Sequence, residues 1–238
     1  ISADEFAEGG NTLQDSIEYL RFFEKEVDMF DVSAGLNSSI QYQIDANHLA
    51  DGWRAYLSRA IKEEFGKPVF VMGNIRDPKV AEDIIARGDA DMIGIGRGLI
   101  ADPEYVNKVI SGREDEIRKC ISCNIGCAGN RIGVNRPIRC TVNPCVNETE
   151  DYREVELLRP CNVVVIGGGA AVLDAACTAA EAGCTAFLIE KNSQTGGLAA
   201  EISKIPDKNR LGDFAQYLRN RASKQRNLFI LNDTEADA

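Results

Sequence analysis

Histidine is almost missing from this sequence: His48 is the single one in 238 residues. It stands in a polar stretch, IDANHLADG, that is typical of a loop. We therefore interpret His48 as a surface residue, with a role as proton donor as the alternative. Since no predicted helix carries two histidines at ligand spacing, the sequence does not support a mononuclear zinc hydrolase.

Long runs of apolar residues and long runs of basic residues are absent as well. No apolar run reaches the length of a membrane span and no signal peptide opens the chain, so we predict a cytoplasmic protein with no membrane partner. Lys and Arg number 27 against 37 Asp and Glu, giving a net charge of -10 without a long basic run. This balance argues against a nucleic-acid partner, because phosphate binding needs clustered Lys and Arg.

A starting methionine is missing, and the first residues, ISAD, read like the end of a strand. We therefore expect an internal piece of a longer polypeptide. The length of 238 residues suits one large domain or two small ones. Apolar residues make up 44%, which is enough for a packed core.

Strand and helix patterns alternate through the first part of the chain. Apolar runs predict strands over 29–33, 68–73 and 90–98, and amphipathic or capped segments predict helices over 13–27, 52–65, 79–88 and from about 102. Alternation at this spacing predicts an α/β fold with parallel strands, in about three βα units. Residues 113–160 are predicted to have little regular structure and to include a charged linker, Glu148 to Glu156.

Four of the eight cysteines stand close together, with the spacing Cys120-x2-Cys123-x3-Cys127-x12-Cys140. Thiolates are soft ligands that suit iron–sulfur clusters and zinc. Three cysteines on a tight loop can hold three corners of a cubic cluster, and Cys140 would complete it. Gly126 and Gly129 would let the backbone approach the sulfides. We predict a cluster; zinc and plain buried thiols are the alternatives, although zinc sites more often pair two C-x2-C knuckles.

A glycine motif, Gly167-Gly168-Gly169-Ala170-Ala171-Val172, lies between a predicted strand (CNVVVI) and a predicted helix. The next predicted strand, CTAFLI, ends at Glu190, about 20 residues later, which completes a βαβ unit of the dinucleotide-binding type. Glycines allow a pyrophosphate to approach the helix N-terminus, and Glu190 would accept the ribose hydroxyls. Val172 replaces the third glycine, so we expect strand and helix to be pushed apart; an impaired site is the alternative.

Two further dipeptides, Gly73-Asn74 and Gly96-Arg97, stand at the carboxyl ends of successive predicted strands. In β/α barrels the last strand ends often form a phosphate site. Arg97 would supply a fixed charge in a fork geometry. The alternative is a surface arginine after a tight turn.

Taken in order, three segments resemble one family: PVFVMGNIRDPKVAEDIIARGDADMIGIGRG, then CISCNIGC with IRCTVNP, then VVVIGGGAAVLDAA with EKNSQTGGL. The sequence resembles the old yellow enzyme-like iron–sulfur flavoenzymes, which include 2,4-dienoyl-CoA reductase, 2-enoate reductase and trimethylamine dehydrogenase. The resemblance implies the C-terminal part of an FMN-binding TIM barrel over 1–112, a 4Fe–4S cluster segment and linker over 113–158, and the first βαβ half of a Rossmann-like FAD domain over 159–238.

The resemblance also implies site residues. Those near the FMN phosphate would be Gly73, Asn74, Gly96 and Arg97, and the cluster ligands would be Cys120, Cys123, Cys127 and Cys140. Those that contact FAD would be Gly167, Gly169, Ala171, Glu190, Lys191, Gly197, Leu198 and Lys208. Leu198 departs from the more usual Gln after the paired glycines. No histidine stands in SAGLNSSIQY, where the dienoyl reductases place a catalytic one, so the catalytic residues are unknown.

The implied function is electron transfer between NAD(P)H, FAD, a 4Fe–4S cluster and FMN to reduce an activated C=C bond of an enoate or enoyl-CoA substrate. The alternatives are an amine dehydrogenase of the same family, a non-catalytic iron–sulfur or zinc module, and an inactive fragment. Because a three-unit barrel leaves open strand edges, we expect association with the remainder of the polypeptide or in a homo-oligomer.

Overall fold

The computed structural model describes residues 1–148, 157 and 159–237. The chain packs into two compact units, Ile1–Pro103 with Ser122–Ile138, and Glu104–Ile121 with Arg139–Ala238. The division into flavin, cluster and dinucleotide segments remains a prediction. Of the predicted linker Glu148 to Glu156, every residue after Glu148 lies outside the described residues. No helix within the described part of the chain is long and apolar enough to cross a membrane.

The first unit contains a three-stranded sheet in the order β1-β2-β3, in which both pairs of neighbours are parallel, as predicted. Ser2 forms a further parallel bridge to Ser33, so the first residues do lie strand-like beside β1. The strands and helices of this unit are β1 (Phe30–Val32), β2 (Val69–Met72), β3 (Met92–Gly94), α1 (Leu13–Leu20), α2 (Ile40–Gln43), α3 (Ala55–Phe65), α4 (Pro78–Ala86) and α5 (Gly96–Ala101), with 3-10 turns at Glu24–Glu26 and Asn37–Ser39 and a π-helix at Ile125–Gly133.

Packing of α1 and α3 on the strands forms the main core of this unit. Leu57 and Ile61 of α3 and Val69 of β2 are fully buried. Helix α4 begins as the sequence predicts: the Asp77 side chain accepts a hydrogen bond from the Lys79 backbone N–H, and proline occupies the first helical position. The candidate site residues Gly73, Asn74, Gly96 and Arg97 follow the carboxyl ends of β2 and β3.

The second unit holds a parallel sheet in the order β4-β5-β6. Leu173 and Cys177 of the first long helix, Leu188 of the central strand and Leu218 of the second long helix are fully buried in its core. The elements are β4 (Asn162–Ile166), β5 (Thr185–Ile189), β6 (Leu228–Leu231), α6 (Tyr105–Ile110), α7 (Ala170–Glu181), α8 (Gly197–Ile202) and α9 (Arg210–Ser223), with a 3-10 turn at Glu114–Glu116. The predicted βαβ unit is therefore confirmed.

Three predicted elements differ from the structure. The helix predicted over 13–27 ends at Leu20, after which the N–H groups of Phe22, Phe23 and Glu26 bond to carbonyls three residues earlier. The Lys67 ammonium donates hydrogen bonds to the carbonyls of Glu24 and Val27 in this region. The strand predicted over 90–98 stops at Gly94, since α5 begins two residues later. The segment predicted to lack regular structure contains the π-helix Ile125–Gly133.

Candidate functional site

A tight turn follows β2 at Gly73 and Asn74, whose φ angles are 133° and 50°. A Cβ on Gly73 would lie 2.1 Å from Arg54 Nε, so only glycine allows the arginine to approach the backbone here. Asn74 is buried and its Nδ2 donates to the carbonyls of Ala46, at 3.1 Å, and Leu49, at 2.9 Å. The turn is thus fixed from both sides before any ligand is considered.

Arg97, in the first turn of α5, meets this turn. Its Nη2 donates to Asn74 Oδ1 at 3.0 Å, and its Nη1 donates to the Asp45 carbonyl at 2.6 Å and to Asn124 Oδ1. Nη2 also lies 3.4 Å from Asp45 Oδ2. The structure therefore brings Asn74 and Arg97 together. Gly96 beside them has open space where a side chain would project.

Asp45 is the centre of a buried charge network that no sequence motif indicated. Its Oδ2 accepts a hydrogen bond from Arg54 Nη2 at 2.9 Å, and both side chains are 3% exposed. Its Oδ1 accepts from the indole N–H of Trp53 at 2.7 Å. Two guanidinium groups, of Arg54 and Arg97, therefore share one carboxylate, which leaves this buried region with an excess of positive charge.

The excess of positive charge affects the Arg54 guanidinium. Burial lowers the pKa of the Arg54 guanidinium, Asp45 opposes this effect, and the nearby Arg97 adds to it. Arg54 Nε is buried without a hydrogen-bond partner in the described part of the chain. A buried donor without a partner, together with excess positive charge, is chemically suited to an anionic group.

The first part of the cysteine loop is attached to the same network. Ser122 Oγ donates to Asn74 Oδ1 at 2.8 Å, and Asn124 Nδ2 donates to the Asp45 carbonyl at 3.2 Å. Ser122 and Asn124 both have positive φ, 50° and 58°, so the chain bends sharply on either side of Cys123. The two neighbours of Cys123 are therefore held against the strand-end residues predicted to contact FMN. Sequence reasoning gave neither of them a role.

All four cysteines of the motif have intermediate exposure. Cys123 and Cys127 belong to the first unit, whereas Cys120 and Cys140 belong to the second. Cys127 lies within the π-helix, where the Gly129 N–H bonds to the Asn124 carbonyl five residues earlier, at 2.7 Å. Within the described ranges, no three or more His, Cys, Asp and Glu side chains form a group that could hold a metal ion. The choice of ligands rests on the spacing and on the chemistry of the donors, since four cysteine thiolates suit an iron–sulfur cluster.

The predicted dinucleotide turn of the second unit is built mainly from backbone. Gly167 has φ 101°, and α7 begins at Ala170, so its first N–H groups point out of the turn. A Cβ on Gly168 would lie 2.6 Å from Glu190 Oε2, so the missing side chain makes room for the carboxylate. Glu190 is 5% exposed, and its Oε1 accepts the Asn192 N–H at 2.7 Å, while no described residue donates to Oε2.

A second glycine pair packs against this turn. The Gly196 N–H donates to the Gly168 carbonyl at 2.7 Å, Gly169 and Gly196 form a parallel bridge, and a Cβ on Gly197 would lie 2.8 Å from Gly169 Cα. Gly167, Gly169, Glu190 and Gly197 are therefore brought together. The remaining predicted FAD contacts are exposed, at Ala171, Lys191, Leu198 and Lys208, and His48 is exposed as predicted.

Two family models match the chain. Residues 1–116 match the NADH:flavin oxidoreductase / NADH oxidase family, and residues 162–232 match the FAD dependent oxidoreductase family. The first match contains both strand-end turns, and the second contains the glycine turn and Glu190.

Whole proteins show the same likeness. An NADH oxidase of Thermoanaerobacter brockii is 44% identical, over 94% of this chain and 35% of its own length. A cinnamate reductase of Clostridium sporogenes is 31% identical, over 82% of this chain and 29% of its own. A solved 2-naphthoyl-CoA reductase complex shares 27% identity and a TM-score of 0.92, over 99% of this chain and 36% of that one. The chain thus spans about a third of these relatives, and it belongs to the NADH:flavin oxidoreductase / NADH oxidase family, the old yellow enzyme-like iron–sulfur flavoenzymes.

Proposed function

We propose that this chain forms the central part of a flavoprotein that reduces an activated C=C bond, with electrons passed from NAD(P)H through FAD and a 4Fe–4S cluster to FMN. The cofactors supply the redox chemistry, and the protein supplies binding, orientation and electrostatics. The substrate class, an enoate or enoyl-CoA type of small molecule, is supported by the reductases among the relatives.

The observation that carries this proposal is the network of two arginines and one carboxylate at the ends of β2 and β3. Asp45 compensates one of the charges of Arg54 and Arg97, and a phosphate would compensate the other. The terminal N–H groups of Arg97 are already bonded within the protein, so we propose that it acts on the FMN phosphate through its charge and Nε. The open space at Gly96 would leave the backbone there accessible to the phosphate, whereas Gly73 makes room for Arg54.

In the second unit, the pyrophosphate of FAD would lie at the N-terminus of α7, beyond Gly169. The helix has twelve residues, and its dipole and unpaired N–H groups favour an anion there. Glu190 Oε2 would accept a ribose hydroxyl, since it already lies beside Gly168 with no donor among the described residues. Asn192 would keep the carboxylate in place through Oε1.

For the cluster, we propose Cys120, Cys123, Cys127 and Cys140 as ligands. Ser122 and Asn124 would fix the loop at Cys123 by their bonds to Asn74 and Asp45. The residues that support the proposed FMN phosphate site would then also support one side of the cluster loop.

The decisive experiment compares FMN with riboflavin, which lacks the phosphate. We expect FMN to bind more tightly than riboflavin to the full chain, and Arg97→Gln to weaken FMN by about 10- to 100-fold, the range for a charge-assisted contact, while riboflavin changes little. Flavin fluorescence titration measures both constants. Equal loss for the two ligands would show that Arg97 does not act on the phosphate.

A parallel assay tests the cluster. Anaerobically purified chain should contain iron and acid-labile sulfide, and Cys123→Ser should remove both, whereas the control Cys177→Ser should retain them because Cys177 is buried in α7. If the chain holds zinc and no labile sulfide, the result would instead support the alternative of a non-catalytic zinc module.

A further inference from the structure

Two cysteines outside the cluster motif lie side by side in the second unit. The Sγ atoms of Cys161 and Cys184 are 2.8 Å apart, against about 2.05 Å for the bond of a disulfide. Both are free thiols in the structure. Cys161 is exposed and Cys184 is 4% exposed, so one thiol is accessible from solvent and the other is accessible mainly from its partner.

The sheet register places them there. Asn162 of β4 pairs with Thr185 of β5 in parallel, so the preceding residues, Cys161 and Cys184, are also opposite each other. Neighbouring strands lie about 4.8 Å apart, within the range of Cα separations, about 4.4 to 6.8 Å, that a disulfide spans. The pair therefore needs only a small side-chain adjustment to bond.

The backbone around the pair is held firmly. The Thr185 N–H bonds to the Cys161 carbonyl at 2.9 Å, and the Cys184 N–H bonds to the Ala179 carbonyl at 3.0 Å. Asn227 Nδ2 donates to the Cys184 carbonyl at 2.6 Å. The contact with Cys161, and then burial, raise the pKa of the Cys184 thiol. The thiols are thus held close together by main-chain bonds that do not involve their sulfur atoms.

We propose that Cys161 and Cys184 form a reversible dithiol–disulfide site, oxidised by a small-molecule disulfide such as oxidised glutathione. The Cys161 sulfur attacks the reagent, forming a mixed disulfide and releasing one thiol. The Cys184 sulfur then attacks Cys161 Sγ, which forms the protein disulfide and releases the second thiol. The two electrons and two protons lost by the cysteine pair are gained by the small-molecule disulfide.

The site is separate from the proposed redox cofactors. Cys161 and Cys184 stand at the amino ends of β4 and β5, whereas the glycine turn and Glu190 stand at the carboxyl ends of the same strands. A five-residue strand spans roughly 16 Å, at about 3.3 Å per residue. Oxidation would therefore bind the starts of the two strands together without contacting the glycine turn.

The test exposes the reduced full chain to oxidised glutathione and then maps its disulfides without reduction. No Lys or Arg lies between residues 160 and 190, so trypsin leaves both cysteines on one peptide, whereas cleavage at Asp174 and Glu181 separates Cys161, Cys177 and Cys184. We expect a linked pair of peptides carrying Cys161 and Cys184, with a mass loss of two hydrogen atoms, that dithiothreitol reverses.

Variants make the assignment specific. Cys184→Ser should stop at a glutathione adduct on Cys161, Cys161→Ser should give neither product at this site, and the control Cys177→Ser should link as the wild type does. Cys177 is the matched control because it is a buried thiol of the same unit whose Sγ contacts the Leu218 carbonyl, at 4.0 Å.

A stable glutathione adduct on wild-type Cys161, or a link from Cys161 to any other cysteine, would overturn the proposal. If a variant does not fold, the wild-type chain can be tested with a trivalent arsenical, which binds two neighbouring thiols at once. One phenylarsine oxide per dithiol, with release of one water, should protect both cysteines from alkylation. Protection of neither would equally overturn the proposal.

Discussion

The candidate sites of the two units are built from different parts of the chain. In the first unit the candidate site consists of side chains: Asp45 and Arg54 are buried, Arg97 is half-buried beside them, and Asn74 accepts a hydrogen bond from Arg97. In the second unit it consists of backbone turns, a helix N-terminus and the carboxylate of Glu190. The first type of site depends on the pairing of buried charges, and the second depends on the absence of side chains.

This difference explains which parts of each site the sequence could predict. A backbone site needs glycines at fixed spacing before a helix, so Gly167, Gly169 and Glu190 stand out within one short segment. A side-chain network can draw residues from anywhere: Asp45 and Arg97 are 52 positions apart. Nothing local distinguishes Asp45 or Arg54 from a surface residue, and only the folded chain shows that both are buried.

The largest effect should come from removing the shared carboxylate of the first site. Asp45→Asn leaves the buried Arg54 guanidinium and the half-buried Arg97 guanidinium without their shared counter-charge, and we expect the free energy of unfolding to fall by about 3–5 kcal/mol. Urea unfolding measures this change. Trp53, the only tryptophan, bonds directly to Asp45 and provides a fluorescent probe at the site.

The control for that experiment is Glu64→Gln. Glu64 pairs with Arg21 at 2.7 Å, but these side chains are 35% and 52% exposed, so the loss should stay below about 1 kcal/mol. If Asp45→Asn costs no more than the control, buried charge does not hold the first site together.

The second site should instead be most sensitive to an added methyl group. Gly168→Ala would place a Cβ 2.6 Å from Glu190 Oε2, and we expect a destabilisation of about 1–3 kcal/mol together with displacement of the carboxylate. Gly169→Ala is the matched control, because its φ of -67° suits alanine and no atom lies within 4 Å of the new Cβ. Thermal unfolding of the two variants should differ clearly; equal midpoints would contradict the packing of Glu190 on this turn.

The fold itself was predictable where a local signal decided it. β2, α4 and β5 lie inside their predicted ranges, or within a residue of them, because an apolar run or a capping Asp-Pro defines each. The prediction for α1 ran too long, since the residues after Leu20 form a 3-10 turn whose carbonyls accept hydrogen bonds from Lys67, which is distant in sequence. The spacing of Leu211, Phe214, Leu218 and Ala222 is typical of an amphipathic helix and is the local signal for α9.

The stability that the buried carboxylate of Asp89 contributes should depend on pH. A hydrogen bond from Arg59 holds the pKa of Asp89 below its ordinary value of 3.8, and Arg87 adds to this effect. Because the folded-state pKa is depressed, the stabilisation is present above about pH 4 and is lost as the pH falls through the folded value. Asp89→Asn should therefore lower stability by about 1 kcal/mol at neutral pH, the typical net value of a hydrogen bond.

The measurement is the unfolding midpoint of wild type and variant from pH 7 to pH 2. The two curves should converge in the acidic range. Asp115→Asn is the control, since the pKa of Asp115 is also lowered, by Lys224, but this carboxylate is exposed. A constant gap between wild type and Asp89→Asn at all pH values would contradict a charge-based role.

The smallest effect concerns Val172, which stands where a glycine is usual. Its side chain is half-buried, and Cγ2 lies 4.0 Å from the place a Cβ on Gly167 would take, so α7 forms without a steric clash. The branched side chain still occupies the first turn of the helix, close to the proposed pyrophosphate position. We expect Val172→Gly to tighten FAD binding by a few-fold, but at a cost in helix stability of up to about 1 kcal/mol.

Val172→Ala separates the two effects, because alanine removes the branch and keeps a good helix former. The measurement is FAD titration of both variants beside Glu190→Ala, which should weaken binding. If FAD affinity is unchanged in all three, the glycine turn of the second unit is not the adenine site, and only the side-chain site of the first unit would remain as a flavin site.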